Sequence, residues 1–255
     1  MATMEKEITL PTGVVLREPE SSSLPESQKH FLLFIPWDDK YLSNVPEKYR
    51  SYFLDCLPEL GVRTTDVHVA VCFSFFEKLI LAYEKEINEM IDRDVVALAF
   101  ILHDIGWSRL NEKEIAESLG IKGLVLTGNS LTPKEKHAIE GEKIAIEKLE
   151  SWDVDDQKRD LICACVRWHD FPEKVSQDDK KRSEVKILVD LDHLWSFTQE
   201  NFWQDTLRKG VAPEEYMNNL RRDLPSYFVT KIGMDFARRF LGEREKEIAL
   251  FSVSS

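Results

Sequence analysis

From residue 46 onward, the apolar residues of this 255-residue chain recur every three to four positions, which is the period of an amphipathic α-helix. The clearest run follows Thr65 and Asp66, either of which can act as an N-cap, and it predicts a helix that ends near Ile91. The complete pattern predicts helices over residues 46–57, 65–91, 93–104, 110–119, 133–149, 155–169 and 184–197, one more starting at Pro213, and another from Pro225 to Gly242.

The segments between these helices carry start and turn signals. Thr132, Pro133 and Glu135 open one helix with an N-cap, a proline at the first helical position and a capping box. We expect a glycine-rich loop over residues 123–130 and a charged loop over residues 173–183. Short extended pieces are expected only near the N-terminus. The sequence therefore predicts an all-α fold, with an irregular N-terminal arm (1–45) that packs on the core and a single helical domain (46–255).

Composition narrows the class of protein. Lys and Arg total 34 against 46 Asp and Glu, and the resulting net charge of −12 disfavours binding to a nucleic-acid polymer or an anionic membrane. No apolar stretch is long enough to cross a bilayer, and the first residues lack the pattern of a signal peptide. The four cysteines form no Cys-x-x-Cys motif and indicate reduced core thiols. We therefore expect a cytoplasmic protein.

The dipeptide His103-Asp104 closes an apolar run that starts at Ala99, and Ile105-Gly106 follows it. A neutral imidazole and a carboxylate are both good metal ligands, and burying them beside apolar side chains is costly unless something compensates them. The alternative is a capping pair, in which Asp104 bonds to the backbone and His103 lies at a helix C-terminus. The other histidines of the chain favour the metal.

The remaining candidate ligands lie on four further predicted helices. They are His68, His137, His169 and either Asp190 or Asp192. A helical bundle builds a metal site from side chains that project inward from facing helices. His137 could instead be an exposed residue of a second helical turn, and His169 a C-terminal histidine favoured by the helix dipole. Asp190 and Asp192 are two residues apart, so both cannot face one point.

This order of ligands resembles the HD-domain superfamily of metal-dependent phosphohydrolases. The segment 101–106, Ile-Leu-His-Asp-Ile-Gly, is similar to the central motif of that family, and 188–194, Leu-Val-Asp-Leu-Asp-His-Leu, is similar to its closing segment. The resemblance covers about residues 60–200 and implies a bundle of about five helices, with extra C-terminal helices beyond it. It implies Asp192 as the last ligand. His137 and His169 resemble the branch that binds two metals, in which the motif aspartate, here Asp104, bridges the ions.

The resemblance implies two kinds of chemistry. Nitrogen and oxygen ligands suit Fe, Mn, Ni, Co, Zn or Mg, and we expect two divalent ions. In a phosphohydrolase the ions activate water to attack a small phosphorylated metabolite or nucleotide, and Asp104 or His137 moves protons. In the diiron oxygenase branch, the same ligands activate O₂ to hydroxylate or cleave a small organic substrate.

Trp107 and His193 depart from the hydrolase pattern and favour the oxygenase. The abundance of hydrolases in the superfamily favours the phosphohydrolase, which is our expectation. A third reading, a non-catalytic metal-binding regulatory module, ranks last because every ligand is present.

Residues that contact the substrate are harder to predict. The candidates are Arg109, Lys134, Arg167 and His193. A solvated helix face is the commoner role for the three basic residues. An aromatic run at 195, 197, 202 and 203 could cap the pocket or form a homodimer interface, although ordinary core packing explains it as well.

Overall fold

The periodic apolar residues form ten α-helices in the computed structural model, which describes residues 7–119, 131–171, 174, 178 and 182–252. The helices are α1 (Glu47–Leu60), α2 (Thr65–Ile87), α3 (Arg93–Leu102), α4 (Glu112–Ser118), α5 (Pro133–Ser151), α6 (Asp156–Trp168), α7 (Ser183–Leu194), α8 (Gln199–Lys209), α9 (Pro213–Tyr227) and α10 (Lys231–Ser252). Short 3₁₀ turns lie at Glu26–Leu32, Asp39–Asn44, Ile105–Arg109 and Trp195–Phe197. The prediction of an all-α fold is confirmed.

The N-terminal arm contains a small hairpin. Strands β1 (Glu7–Thr9) and β2 (Val15–Arg17) pair antiparallel, with Ile8 opposite Leu16. Leu16, Leu33 and Ile35 of the arm are buried in the same apolar cluster as the residues of the helices. The arm therefore packs against the helices.

Helix α3 lies at the centre of the bundle and carries the His103-Asp104 pair at its end. The Asp92 carboxylate caps its start by accepting hydrogen bonds from two backbone amides, those of Asp94 and Val95. Every residue from Val95 to Leu102 is buried, and α3 contacts α1, α2, α6 and α7. A helix that is apolar on all sides packs in the protein interior, so the His103-Asp104 pair at the end of α3 also lies in the interior.

The boundaries of α2 differ from the prediction at both ends. The N-cap position is Thr64 and not Thr65 or Asp66, which both lie inside the helix. Thr64 has a left-handed conformation (φ 71°) and makes no side-chain capping hydrogen bond. Thr64 cannot cap because its hydroxyl accepts hydrogen bonds from more distant groups. The helix ends at Ile87, four residues early, because Asn88 adopts a left-handed conformation (φ 55°).

The C-terminal helices also depart from the prediction. The sequence pattern missed α8, which starts at the N-cap Thr198 and ends at Gly210 (φ 60°). Pro225 does not begin a helix; it lies in the last turn of α9, two residues before that helix ends at Tyr227. Gly242 does not end α10, which continues through it to Ser252.

The other boundaries are close to those expected. Asn111 and Glu114 form a capping box for α4, and Thr132 and Glu135 form the predicted one for α5. The loop expected over residues 123–130 lies outside the described residues, as does most of that over 173–183, whose last residue, Ser183, starts α7. None of the described helices is long and apolar enough to span a membrane.

Candidate metal centre

His103 is the C-cap residue of α3 and is fully buried. Its Nδ1 lies 2.7 Å from the carbonyl oxygen of Phe100, and its ring stacks on the Phe100 ring with centroids 4.8 Å apart. Because a carbonyl oxygen only accepts hydrogen bonds, Nδ1 carries the proton and Nε2 has the free lone pair. The end of α3 thus fixes both the ring and the tautomer, which is the usual arrangement of a metal-binding histidine.

Asp104 faces four imidazoles through its two carboxylate oxygens. Oδ2 lies 3.6 Å from His68 Nδ1 and 3.5 Å from His103 Nε2. Oδ1 lies 3.5 Å from Nε2 of both His137 and His169. One carboxylate therefore joins two groups of potential ligands, which is the geometry expected of a bridging aspartate.

The first group comprises His68, His103 and Asp192, whose donor atoms lie within 4.8 Å of one another. Asp192 Oδ1 is 3.4 Å from Nε2 of each histidine. His68 lies in the first turn of α2, and its ring stacks on Trp195 at a centroid distance of 4.9 Å. Three helices, α2, α3 and α7, supply this group.

The second group comprises Asp104, His137 and His169, also within 4.8 Å. His169 is the C-cap of α6 and repeats the arrangement of His103, with Nδ1 2.8 Å from the carbonyl oxygen of Val166. His137 is fully buried, so its alternative reading as an exposed residue is wrong. Oδ2 of Asp170, which the sequence analysis overlooked, lies 3.6 Å from His137 Nε2 and makes His169-Asp170 a second His-Asp pair at this centre.

Helix geometry separates the two aspartates of α7. Asp190 is fully buried on the side away from the centre, where it accepts hydrogen bonds from the Tyr83 and Thr230 hydroxyls and from the Val229 amide. Asp192 faces the histidines. The structure therefore brings Asp192 to the centre and uses Asp190 to hold the segment between α9 and α10.

Two features of the donor atoms fit metal ions. Nε2 of His68 and Nε2 of His103 are buried, and neither makes a hydrogen bond to any described residue. Two ligands that are each about 2.1 Å from one ion at a tetrahedral angle lie about 3.4 Å apart. The carboxylate oxygens lie 3.4 to 3.6 Å from the histidine nitrogens, which is longer than a good hydrogen bond and matches a shared ion. Nε2 of His137 and Nε2 of His169 are closer, at 3.2 Å.

The charges of the centre agree with this fit. Burial alone would raise the pKa of Asp104, but the positive charge of a protonated His103 and the nearby ring nitrogens of the other histidines hold it well below its usual value. Burial lowers the pKa of His68 and of His137, which favours neutral imidazoles. Burial would also lower the pKa of His169, but Asp104 and Asp170 raise it to about 9. The carboxylates thus attract positive charge, which divalent ions would supply.

Trp107 contacts two members of the second group, His137 and Asp104. Its indole stacks on His137 with a centroid distance of 4.0 Å, and its Nε1 donates to Asp104 Oδ1 at 2.9 Å. Gly106 makes this packing possible, because a Cβ at this position would overlap the backbone of His137 and Gly141 in α5. Trp107, a departure from the family pattern, therefore orients the Asp104 carboxylate.

The centre opens onto a cavity of about 350 Å³. Among the described residues that line it, four are basic and four are acidic. The basic residues are Arg63, Lys134, Arg208 and Lys209, and the acidic ones are Asp104, Asp170, Asp192 and Asp205. Two divalent ions at the centre would offset the four carboxylates and leave the lining with a net positive charge.

Of the predicted substrate contacts, the structure brings His193 and Lys134 to this cavity but not the two arginines. Arg109 is exposed at the end of the turn Ile105–Arg109, and Arg167 lies over the Trp168 ring and beside Glu142. Arg63 and Arg208 take their place. The sequence offered no sign of them, although the second His-Asp pair, His169-Asp170, is visible in it.

The HD-domain family model matches residues 76–195, a range that includes the candidate ligands from His103 to Asp192. His68 lies eight residues before the matched range. No curated protein and no solved structure gave a significant match to the chain.

Proposed function

Because the chain belongs to the HD-domain superfamily, we propose that it is a metal-dependent phosphohydrolase that acts on a small phosphorylated metabolite or nucleotide. The observation that carries this proposal is the combination of two ligand groups, shared by Asp104, with a cavity that four basic side chains line. Phosphate esters carry one or two negative charges, and such a lining is suited to bind them. An uncharged organic substrate would not require it.

In this proposal His68, His103 and Asp192 hold one ion, His137 and His169 hold another, and Asp104 contacts both. Divalent ions in these places polarise a phosphoryl oxygen and lower the pKa of a bound water. The protein fixes the ligands in advance, since the carbonyl oxygens of Phe100 and Val166 hold two of the imidazole rings. The catalytic proton-transfer roles of Asp104 and His137 remain predictions.

Lys134 and His193 would orient the phosphoryl group. Lys134 Nζ lies 2.7 Å from Asp170 Oδ1, so it is held at the edge of the second group. His193 lies beside the first group, and its Nδ1 is buried without a hydrogen-bond partner in the described chain. We expect both side chains to contact oxygens of a phosphate that reaches the centre.

Metal analysis and a phosphate-release assay test the proposal together. Protein loaded with Mn²⁺, Ni²⁺ or Co²⁺ should release phosphate or nucleoside from a panel of nucleotides, phosphate monoesters and phosphodiesters. His103→Ala and Asp104→Ala should lose tight metal binding and phosphate release. His30→Ala is the matched control, because His30 packs on Phe31 in the arm, away from the centre.

Three results would contradict the proposal. Two irons per chain together with substrate-dependent consumption of oxygen would identify an oxygenase. Undetectable metal binding by a fully helical protein would leave only a binding module. Equal metal content in all three variants would show that the centre lies elsewhere.

A further inference from the structure

Arg63 and Arg208 are far apart in the sequence but stand together on one wall of the cavity. Both also line a second cavity of about 310 Å³, which adjoins the first. Most other residues of the second cavity are apolar, among them Leu32, Phe34, Val62, Leu110 and Ile115. The two guanidinium groups therefore mark the junction between a polar cavity at the metal centre and an apolar one.

A buried hydrogen-bond network holds the two arginines in a fixed relation. Gln204 is fully buried, and its Nε2 donates to the Leu33 carbonyl oxygen and to the Thr64 hydroxyl, both at 2.9 Å. Arg208, which is 5% exposed, donates from Nε to the same carbonyl oxygen at 2.7 Å. Thr64 directly follows Arg63, so the arm, the loop before α2 and helix α8 are tied together at this point. Such pre-organisation is typical of a binding site.

The donors of these arginines are only partly used by the described residues. The Arg63 guanidinium lies over the Trp107 ring at 4.1 Å, and its Nε is buried with no hydrogen-bond partner in the described chain. Since His137 stacks 4.0 Å from the same ring, Arg63 must cover the opposite face. Beyond its bond to Leu33, the further polar contact of Arg208 with the described residues is that of Nη1, 3.9 Å from Asp205 Oδ1. A buried donor without an acceptor is costly, and an anion would satisfy it.

The charges around the two arginines also favour an anion at this wall. Asp205 is the carboxylate that contacts Arg208, and it already accepts hydrogen bonds from Lys209 at 2.6 Å and from the Tyr216 hydroxyl at 2.7 Å. Glu112, which also lines the second cavity, accepts hydrogen bonds from Ser23. Burial, opposed by Asp205 and aided by the like charge of Arg63, lowers the pKa of Arg208 to about 10. The wall is therefore cationic in a chain whose net charge is −12.

We propose that Arg63 and Arg208 form a subsite for a second anionic group, a carboxylate or a phosphate, on a substrate whose reacting phosphoryl group lies at the metal centre. This inference rests on the proposed function, because that function places the first phosphoryl group. The substrate class is then a phosphorylated compound with two separate anionic groups. A planar guanidinium with two free terminal nitrogens binds either group in a bidentate manner.

Binding of unreactive phosphonates to the metal-loaded protein tests the subsite without requiring turnover. The probes are methylphosphonate and a series of α,ω-alkane bisphosphonates with one to six methylene groups, titrated by calorimetry. At the chain length that spans the two sites, the bisphosphonate should bind at least about tenfold more tightly than methylphosphonate. Arg63→Met should abolish that advantage and leave methylphosphonate affinity and metal content unchanged. Alkyl phosphonates with the same number of carbons but one anionic group distinguish an anionic from an apolar second contact.

Arg63→Met is the decisive variant, because Arg208→Met also removes a buried hydrogen bond and can unfold the protein. Arg109→Met is the matched control, since Arg109 is exposed and outside the cavity. The subsite would be overturned if all bisphosphonates bound with the same affinity as methylphosphonate. It would also be overturned if the alkyl phosphonates, which have one anionic group, gained as much affinity over methylphosphonate as the bisphosphonates do. Failure of methylphosphonate itself to bind the metal-loaded protein would instead count against the proposed function. A matching series of phosphonocarboxylates shows whether the second group is a carboxylate or a phosphate.

Discussion

The close approach of Gly106 to helix α5 leads to a sharp prediction about stability. A Cβ at Gly106 would lie 2.5 Å from the Gly141 nitrogen and 2.9 Å from its Cα, and it would overlap the carbonyl oxygen of His137. All of these are backbone atoms, so no change of side-chain rotamer relieves the contact. To restore normal contact distances, the turn Ile105–Arg109 and α5 would have to separate by about 1 Å.

Gly106→Ala should therefore cost about 3 kcal/mol or more, the upper end of the range for overpacking. In a chain of this size, that corresponds to a fall in Tm of roughly 6–12 °C. Gly242→Ala is the matched control. Gly242 lies inside α10 with nothing within 4 Å of its added Cβ, so alanine should stabilise the helix by about 0.5–1 kcal/mol.

Thermal unfolding followed by circular dichroism measures both variants, first with chelator and then with saturating metal. The separation of α5 also moves His137 from Trp107 and Asp104, so the Tm increase that metal produces should be smaller in Gly106→Ala than in the wild type. A Tm for Gly106→Ala within about 2 °C of the wild type, with an unchanged metal effect, would refute the reasoning about this contact.

Three further changes test other parts of the structure. Trp107→Phe keeps an aromatic ring but removes the N–H that donates to Asp104, so metal affinity should fall about tenfold in a competition titration. An unchanged affinity would contradict the role of Trp107 in orienting Asp104. Asp190→Ala removes the acceptor of the Val229 amide, whereas the Tyr83 and Thr230 hydroxyls can still bond to each other, so it should cost about 2–3 kcal/mol in urea unfolding. A loss below about 1 kcal/mol would show that water replaces the carboxylate. Burial would raise the pKa of Asp94, but hydrogen bonds from Lys48 and Tyr49 lower it below its usual value. The stabilisation that Asp94 provides is therefore present above the pKa of an unfolded Asp, about 3.9, and is lost as the pH falls through the pKa of the folded state. Asp94→Asn should be less stable than the wild type at pH 7, the two should converge near pH 2, and a constant difference between them would contradict the assignment.

Local sequence signals predicted those elements whose ends depend on neighbouring residues. Thr132 and Glu135 determine the start of α5 through contacts three residues apart, and the structure contains that capping box. Helix α10 shows the limit of such signals. Gly242 has low helix propensity, but the helix passes through it because residues on both sides, Ala237 and Leu241 before it and Ile248 after it, pack in the core.

The contents of the candidate centre could be predicted because histidines and aspartates are rare enough in apolar helices to be recognised one by one. The arginines at its wall could not. Arg63 reaches the cavity through a left-handed backbone (φ 61°), and Arg208 is held there by the carbonyl oxygen of Leu33. Both depend on contacts between segments more than a hundred residues apart in the chain, for which no periodic pattern exists.

Most candidate metal ligands lie inside the range that the family model matches, whereas several residues of the cavity lie outside it. The matched range, 76–195, includes all the candidate ligands except His68, so the family match predicts metal chemistry. Several residues that would contact a substrate lie outside it, namely Arg63, Asn201, Asp205, Arg208, Lys209 and Tyr227. The buried contacts of Asp190 with Tyr83 and Thr230 join the segment after α9 to this same unit. Substrate choice should therefore change with substitutions in α8 and in the loop before α2, while metal content remains constant.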